Sequence, residues 1–196
     1  QLFVMWIAPN VIMPLFNKFT PLEDATLKAR VTALMTRSGF TAKGFFVMDG
    51  SRRSAHSNAF FTGFGAAKRV VFFDTLLAKL NGDEMEAVLA HELGHFKHRH
   101  ILKMMITSFA TSLAGLALLG WVSQQVWFYT GLGVMPNLNG NNSGLALLLF
   151  MLVLPLFTFF VSPLSARRSR KFEFEADAYA VANSDGKSLA SALLKL

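Results

Sequence analysis

The residues best suited to chemistry are two histidines and a glutamate in HELGH at residues 91–95, which has the pattern HExxH. On a helix, residues four apart lie on one face, so His91 and His95 can bind one Zn²⁺. Glu92 is offset by one position and reaches the metal's water instead. Zinc lowers the pKa of that water to about 7, so a carboxylate can take its proton. The pattern predicts a hydrolytic zinc site with Glu92 as general base, although a chance match on a solvated helix is the alternative.

A catalytic zinc needs a third protein ligand and an open position. The candidates are titratable residues near the motif or on a later helix: Glu173, Glu175, Asp177, His98 and His100. Glu173 and Asp177 are four apart on one helix face, which also carries Ala176 and Ala180 and can therefore pack closely. Glu175 points nearly the opposite way. We expect Glu173 to be the ligand and Asp177 to orient a ligand imidazole. Solvated surface charges are the alternative.

The other histidines are weaker candidates. His98 lies seven positions after His91 on the same face, but it stands between two basic residues, which indicates a membrane interface. His100 and His56 are expected to be polar surface or structural residues.

The HExxH motif belongs to a helix that begins at Asn81, with Asp83, Glu84 and Glu86 in its first turns, where the helix dipole favours acids. No strong stop follows before Gly131. The sequence therefore predicts that the HExxH helix continues directly into a transmembrane hairpin. Upstream, short strands are expected at residues 45–48, 58–62 and 69–73, the last two joined by a Gly-rich turn at 63–65.

The hairpin is indicated by residues 104–166, which are 63 consecutive residues without Asp, Glu, Lys, Arg or His. About 20 apolar residues span a bilayer, so this run can hold two membrane helices. Residues 131–144 are rich in Gly and Asn and are expected to form the loop between them. The second span is expected at 145–161, and a further helix at 172–182. Residues 1–16 are apolar and resemble the last part of a membrane helix.

The charge pattern supports this arrangement. A net charge of +7 could indicate nucleic acid, but the basic residues cluster at the two ends of the uncharged run, as membrane-flanking cations do. Because both clusters lie on the same side of the hairpin, the zinc site is expected to face the cytoplasm, with no nucleic acid as partner. The chain has no cysteine, which excludes a Cys-ligated zinc site and a disulfide scaffold.

Several segments together resemble one family. HELGH is followed by SRKFEFEADAYA at 169–180 and preceded by LFNKFTPL at 15–22, SNAFFTGFG at 57–65 and KRVVFFDTLL at 68–77. They resemble the type I CAAX prenyl endopeptidases, which are a-factor-converting, membrane-integral zinc proteases. The heat-shock membrane protease HtpX shares the HExxH and ExxxD elements, but the Asn-Ala-Phe segment resembles it less.

The resemblance implies specific roles. It matches the family's glutamate ligand to Glu173 and its aspartate to Asp177. It assigns Asn58, Ala59 and Phe60 to a substrate groove, with Asn58 holding substrate backbone at a strand edge. Without the resemblance, Asn58 reads as a turn residue. The family has about seven membrane helices around a chamber and a downstream Ser-His-Pro-Pro region, so the chain is expected to lack segments at both ends.

These inferences give a mainly α membrane protein with a small α+β zinc-metalloprotease domain of gluzincin type. The expected divisions are the end of a membrane helix (1–16), a metalloprotease domain (17–103), a two-helix hairpin (104–166) and a helix that completes the site (167–196). The expected function is a zinc metalloendopeptidase with one Zn²⁺ per chain. It would act on peptides or proteins, including prenylated C-termini, in a bacterial inner membrane or an endoplasmic reticulum membrane.

Three alternatives remain open. The first is an HtpX-like protease that acts in membrane protein quality control. The second is a catalytically silent membrane protein with a structural zinc, against which Glu92 argues, because such a site needs no base. The third is a channel or transporter, which is disfavoured because neither span carries an ionisable residue.

Overall fold

The computed structural model of the chain describes residues 7, 12–55, 57–62, 67–138 and 140–196. It divides into two compact units, one made of residues 1–98 with 173–196 and the other of 99–172. The described helices and strands follow one another as α1 (Met13–Phe16), β1 (Phe19–Pro21), α2 (Ala25–Arg37), β2 (Thr41–Met48), a 3-10 turn (Gly50–Arg52), β3 (Ala59–Thr62), β4 (Ala67–Phe73), α3 (Asp74–Lys79), α4 (Gly82–Lys97), α5 (His100–Val122), α6 (Val126–Thr130), α7 (Ser143–Asn183) and α8 (Gly186–Lys195). The expectation of a mainly helical chain with a small sheet is confirmed.

The sheet of the first unit has the strand order β1-β2-β4-β3. β2 and β4 are parallel, whereas β1 and β3 pair antiparallel with their neighbours. β3 and β4 therefore pair as the sequence predicted, and β3 lies at an edge. The turn expected at 63–65 lies outside the described residues. β2 begins four residues earlier than predicted, because its polar first half, which includes exposed Thr41 and Lys43, lacks a strong apolar signal.

One face of the sheet packs against α2 and α4. Ala59 and Phe61 of β3 are buried on this face, while Phe60 and Thr62 are half-buried on the other, as the two-residue repeat of a strand requires. The centre of this core is formed by fully buried apolar side chains from the helices and from β4: Val31, Leu34, Met35, Val70, Phe72, Leu76, Leu89 and Leu93. The core fixes α4, and with it the HExxH segment, against the sheet.

The start of α4 is as predicted, but its end is not. Asn81 accepts a hydrogen bond from the Glu84 N–H, and the Glu84 carboxylate accepts one from the Asn81 N–H, each at 2.9 Å. The predicted continuation into the hairpin is wrong, because α4 ends at Lys97 and α5 begins at His100. Arg99 between them has φ 55°, a left-handed conformation that costs an L-residue about 1–2 kcal/mol. Within the second unit, the fully buried His100 ring stacks on Phe172 at 4.3 Å, which can offset that cost.

The second span and the later helix are one continuous helix, contrary to the expectation of two. α7 runs through Pro155 and Pro163 to Asn183. A proline inside a helix leaves the carbonyl four residues earlier without its N–H partner. For Pro163 that carbonyl belongs to Phe159, and the Ser162 hydroxyl donates to it at 2.8 Å. The side chain thus compensates for the missing backbone bond, and the helix continues.

The second unit presents an apolar surface. α5 and α7 are long and apolar enough to cross a membrane. In the most apolar 18-residue stretch of each helix, only 6% and 11% respectively is buried. A small core beside the loop at 131–142 contains Tyr129, whose hydroxyl donates to the Ser123 carbonyl at 2.6 Å. Large exposed side chains such as Leu113, Phe159 and Phe160 suit lipid better than water. Most of the helix expected at 1–16 lies outside the described residues.

Candidate metal centre

The site is built where α4 meets the last part of α7, within the first unit. A Cβ added to Gly94 would lie 2.9 Å from the Ala176 Cα and 3.1 Å from the Tyr179 Cβ. Ala176 and Ala180 are both fully buried. The close packing predicted from these alanines is confirmed. It brings side chains from positions 91–95 and 173–177 into contact.

Three potential metal-ligand atoms, called the donor group below, converge across this contact. The Nε2 atoms of His91 and His95 are 3.1 Å apart, and the Glu173 Oε2 lies 3.5 Å from the first and 3.6 Å from the second. Ligands held at about 2.1 Å in tetrahedral geometry are about 3.4 Å apart. The observed separations therefore fit one ion of zinc size. Among the described residues this is the one group of three or more His, Cys, Asp or Glu placed to hold a metal.

Asp177 determines which His91 nitrogen faces the group. Its Oδ1 lies 2.8 Å from the His91 Nδ1. This contact favours the tautomer in which Nδ1 carries the proton and donates to the carboxylate, leaving the Nε2 lone pair directed at His95 and Glu173. The Glu173 side chain is 55% exposed, whereas the two imidazoles are 17% and 19% exposed. The two histidines of the donor group are thus largely covered by protein, and the group is exposed to solvent where Glu173 lies.

Glu92 follows His91 on α4 and is half-buried. Burial raises the pKa of its carboxyl above the ordinary value, and the Glu173 carboxylate raises that pKa further, whereas His91 opposes the shift. A carboxylate beside the donor group is the residue type that can accept a proton from a water molecule there.

The remaining predicted histidines and Glu175 lie elsewhere. The His98 ring meets Tyr179 edge-on at 6.3 Å and is not a member of the donor group. His100 belongs to the second unit, where its buried ring is structural, so the surface alternative for it is wrong. His56 lies outside the described residues. Glu175 is exposed to an intermediate degree on α7 and is also not in the donor group.

The side chains of Asn58–Phe60 lie in different places on the sheet edge formed by β3. Asn58 is exposed, and its Oδ1 accepts a hydrogen bond from the Ala59 N–H at 2.8 Å. Ala59 is 2% exposed in the core. Phe60 lies on the opposite face, in a groove of about 210 Å³ that it shares with Phe46 and Arg69. Of these three side chains, that of Ala59 faces the α4 side of the sheet.

Two tethers of α4 were not predicted from the sequence. The Arg37 Nη2 donates to the Glu86 Oε1 and to the Asn183 carbonyl, both at 2.6 Å, and so links α2, α4 and the end of α7. Their separations of 49 and 146 positions give no local signal.

The second tether joins α4 to α8. The Glu84 Oε1 accepts from the Ser191 hydroxyl at 2.6 Å and from the Lys195 Nζ at 2.5 Å. These bonds, with that from the Asn81 N–H, lower the pKa of Glu84 to about 2. The sequence indicated a first-turn acid here, but not its distant partners.

An HExxH helix whose histidines converge with a glutamate from a second helix is the arrangement typical of zinc metallopeptidases. The chain belongs to peptidase family M48, whose profile matches residues 21–196. The resemblance to CAAX prenyl endopeptidases noted from the sequence is confirmed by the relatives.

Three relatives from different organisms bear this out. The chain is 38% identical to CAAX prenyl protease 1 of Saccharomyces cerevisiae over 208 residues, covering 100% of this chain and 46% of that protein. It is 42% identical over 202 residues to the CAAX prenyl protease 1 homolog of Arabidopsis thaliana, covering 100% and 46%. It is 32% identical over 236 residues to the Homo sapiens homolog, covering 100% and 49%. The chain thus spans about half the length of these relatives.

A solved structure matches as well. The crystal structure of S. mikatae Ste24p aligns with a TM-score of 0.82 and 40% identity, covering 99% of this chain and 48% of that one. Since these relatives are named as CAAX prenyl proteases, the HtpX-like alternative is not favoured.

Proposed function

We propose that this chain is the zinc-binding part of an integral-membrane metalloendopeptidase that hydrolyses peptide bonds in the manner of the CAAX prenyl proteases. The observation that supports this most directly is the convergence of the His91 Nε2, the His95 Nε2 and the Glu173 Oε2 within 3.6 Å of one another. These three residues would hold one zinc ion per chain. A zinc ion held there supplies a water of lowered pKa and polarises the substrate carbonyl.

The protein's own groups then have distinct tasks. The Glu92 carboxylate accepts the proton from the attacking water and later passes it to the leaving amine. Asp177 keeps the His91 ring in the orientation and tautomer that present Nε2 as a donor. The half-buried position of both histidines limits the geometries that the donor set can adopt.

The substrate is proposed to bind as an added strand along β3. In an antiparallel pair, alternate residues direct their backbone groups to the partner strand. The Asn58 carbonyl accepts from the Phe73 N–H on β4 at 3.0 Å, so Ala59 and Phe61 direct theirs to the open edge. The Asn58 side chain already contacts the Ala59 N–H, which places its amide beside the groups that a substrate backbone would use.

The membrane setting follows from α5 and α7, the two apolar helices. Basic residues border both ends of the uncharged run, and such residues are enriched on the cytoplasmic side. We therefore propose that the zinc site faces the cytoplasm, where it meets membrane-associated polypeptides. The names of the relatives suggest prenylated C-terminal peptides as the substrate class.

The test is hydrolysis by the purified zinc-loaded protein of a farnesylated C-terminal peptide, compared with the same peptide without the lipid. Preferential cleavage of the lipidated peptide is expected. Cleavage of unfolded membrane proteins but not of this peptide would favour the quality-control alternative. Zinc binding with no cleavage of either substrate would favour the catalytically silent one.

A further inference from the structure

A second pocket lies wholly within the second unit, between α5 and α7. It is near the basic residues that border the two ends of the uncharged run. Its volume is about 540 Å³. Five side chains that line it carry hydroxyl groups: Thr107, Ser108, Thr111, Ser165 and Ser169. Met104, Val161 and Leu164 give it apolar walls, and no acidic residue is among those that line it. A mixed lining of this kind suits an amphipathic anion.

Arg168 is the one cation that lines this pocket, and it is fixed in place. Its Nη1 donates to the Thr107 hydroxyl, and its Nη2 donates to the Lys103 carbonyl at 3.0 Å. Its guanidinium lies 5.3 Å from the centre of the Phe172 ring, and the Lys103 ammonium lies 5.6 Å from the same centre. A guanidinium has five N–H donors, and these two hydrogen bonds use two of them.

Two positive charges thus lie against the same Phe172 ring, and the residues that line the pocket include no acid. The uncharged run of residues 104–166 supplies none, and Lys103 and Arg168 lie just beyond its two ends. This is the depth at which lipid headgroups lie when α5 and α7 span a bilayer. Basic pockets between membrane helices on the cytoplasmic side are suited to anionic headgroups.

We propose that this pocket binds an anionic glycerophospholipid, with its phosphate on Arg168. Lys103 supplies a second charge, and the Ser169 hydroxyl at the rim is a further donor. The lipid chains would lie against Met104 and Leu164 and continue along the exposed apolar faces of the helices. The apolar walls favour a lipid over free phosphate, because phosphate alone would leave them without a partner. This inference does not depend on the proposed peptidase activity.

The test is native mass spectrometry of the full protein after transfer from nanodiscs of phosphatidylcholine that contain phosphatidylglycerol as the probe. The wild type should retain phosphatidylglycerol in preference to phosphatidylcholine. Arg168→Gln should lower that retention about tenfold or more, because a charge-assisted bond is lost. Arg167→Gln is the matched control, since it removes the same charge from the neighbouring position, which does not line the pocket. It should bind as the wild type does.

A second variant covers the case in which Arg168→Gln fails to fold. Ser165→Glu adds a negative charge at an exposed rim position and should also lower phosphatidylglycerol retention. Equal losses in the Arg167 and Arg168 variants would mean diffuse surface charge and would overturn the proposal. So would full retention in Ser165→Glu, equal retention of the two lipids by the wild type, or displacement of the bound lipid by inorganic phosphate at similar concentration.

Discussion

The His91 Nδ1 and the Asp177 Oδ1 lie 2.8 Å apart although 86 positions separate the two residues in the chain. The contact joins the HExxH helix α4 to the last part of α7. It is made on the side of the imidazole opposite to the nitrogen that faces Glu173. Its consequence is that the ring cannot rotate without losing a hydrogen bond to a carboxylate.

Asp177→Asn should therefore lower zinc affinity by about 10–100-fold, because the amide can offer an N–H to the ring and favour the wrong tautomer. Competition with a chromogenic zinc chelator measures this directly. Asp83→Asn is a suitable control, since it removes an equal charge from an exposed residue on α4 that pairs with Arg30. Unchanged affinity in Asp177→Asn would remove the orienting role assigned to Asp177.

Glu173 and Glu175 provide a sharper comparison, because both are glutamates on α7 and only Glu173 is in the donor group. Glu173→Ala should lose stoichiometric zinc after dialysis, since two histidines alone hold the ion weakly. Glu175→Ala should keep it. Elemental analysis of both proteins after size-exclusion chromatography distinguishes the outcomes. The reverse result would mean that the Glu175 face of α7, and not the Glu173 face, is directed at His91 and His95.

Gly94→Ala tests the helix contact that builds the site. The new methyl group would meet the Ala176 backbone at 2.9 Å, so α4 and α7 would have to separate. We expect a loss of about 1–3 kcal/mol in stability together with weaker zinc binding. Gly115→Ala is the control, because nothing lies within 4 Å of its added Cβ. Thermal unfolding and zinc titration of the two variants should differ clearly, and equal behaviour would contradict the tight contact.

Local patterns predicted the elements that carry the site. The helix start at Asn81, followed by its acidic first turn, and the four-residue spacing of the histidines are each contained within one or two helical turns. Their outcome needs no knowledge of the rest of the chain. The same holds for Ala176 and Ala180, whose four-residue spacing indicated a close helix contact.

The features that were missed depend on distant partners. The helix break at Arg99 contains no glycine or proline. It is accompanied by the stacking of the buried His100 ring on Phe172, which lies 72 positions later in the chain. The Arg37 tether reaches across 146 positions to Asn183. Periodicity and propensity describe only near neighbours, so these contacts could not be read from them.

The Glu84 tether should make the attachment of α8 depend on pH. The pKa of Glu84 falls from 4.5 to about 2 on folding, so the ionised carboxylate stabilises the folded state above pH 4.5. That contribution is lost as the pH falls from 4.5 through about 2. The hydrogen-exchange protection factors of residues 186–195, corrected for the intrinsic pH dependence of exchange, should therefore fall over this range. In Glu84→Gln the exchange should be faster at neutral pH and less dependent on acid; the same acid response in both proteins would contradict the tether.

Catalysis is proposed to depend on Glu92, which acts on a water molecule at a zinc ion held by His91, His95 and Glu173. Glu92→Gln in the full protein tests it most directly, since the amide keeps the shape of the side chain but cannot accept the proton. Zinc content and cleavage of a lipidated peptide are measured on the same sample. We expect one zinc per chain, as in the wild type, and a fall in turnover of at least about 10²–10⁴-fold. Near-normal hydrolysis by the zinc-loaded Glu92→Gln protein, with contaminating proteases excluded, would contradict it.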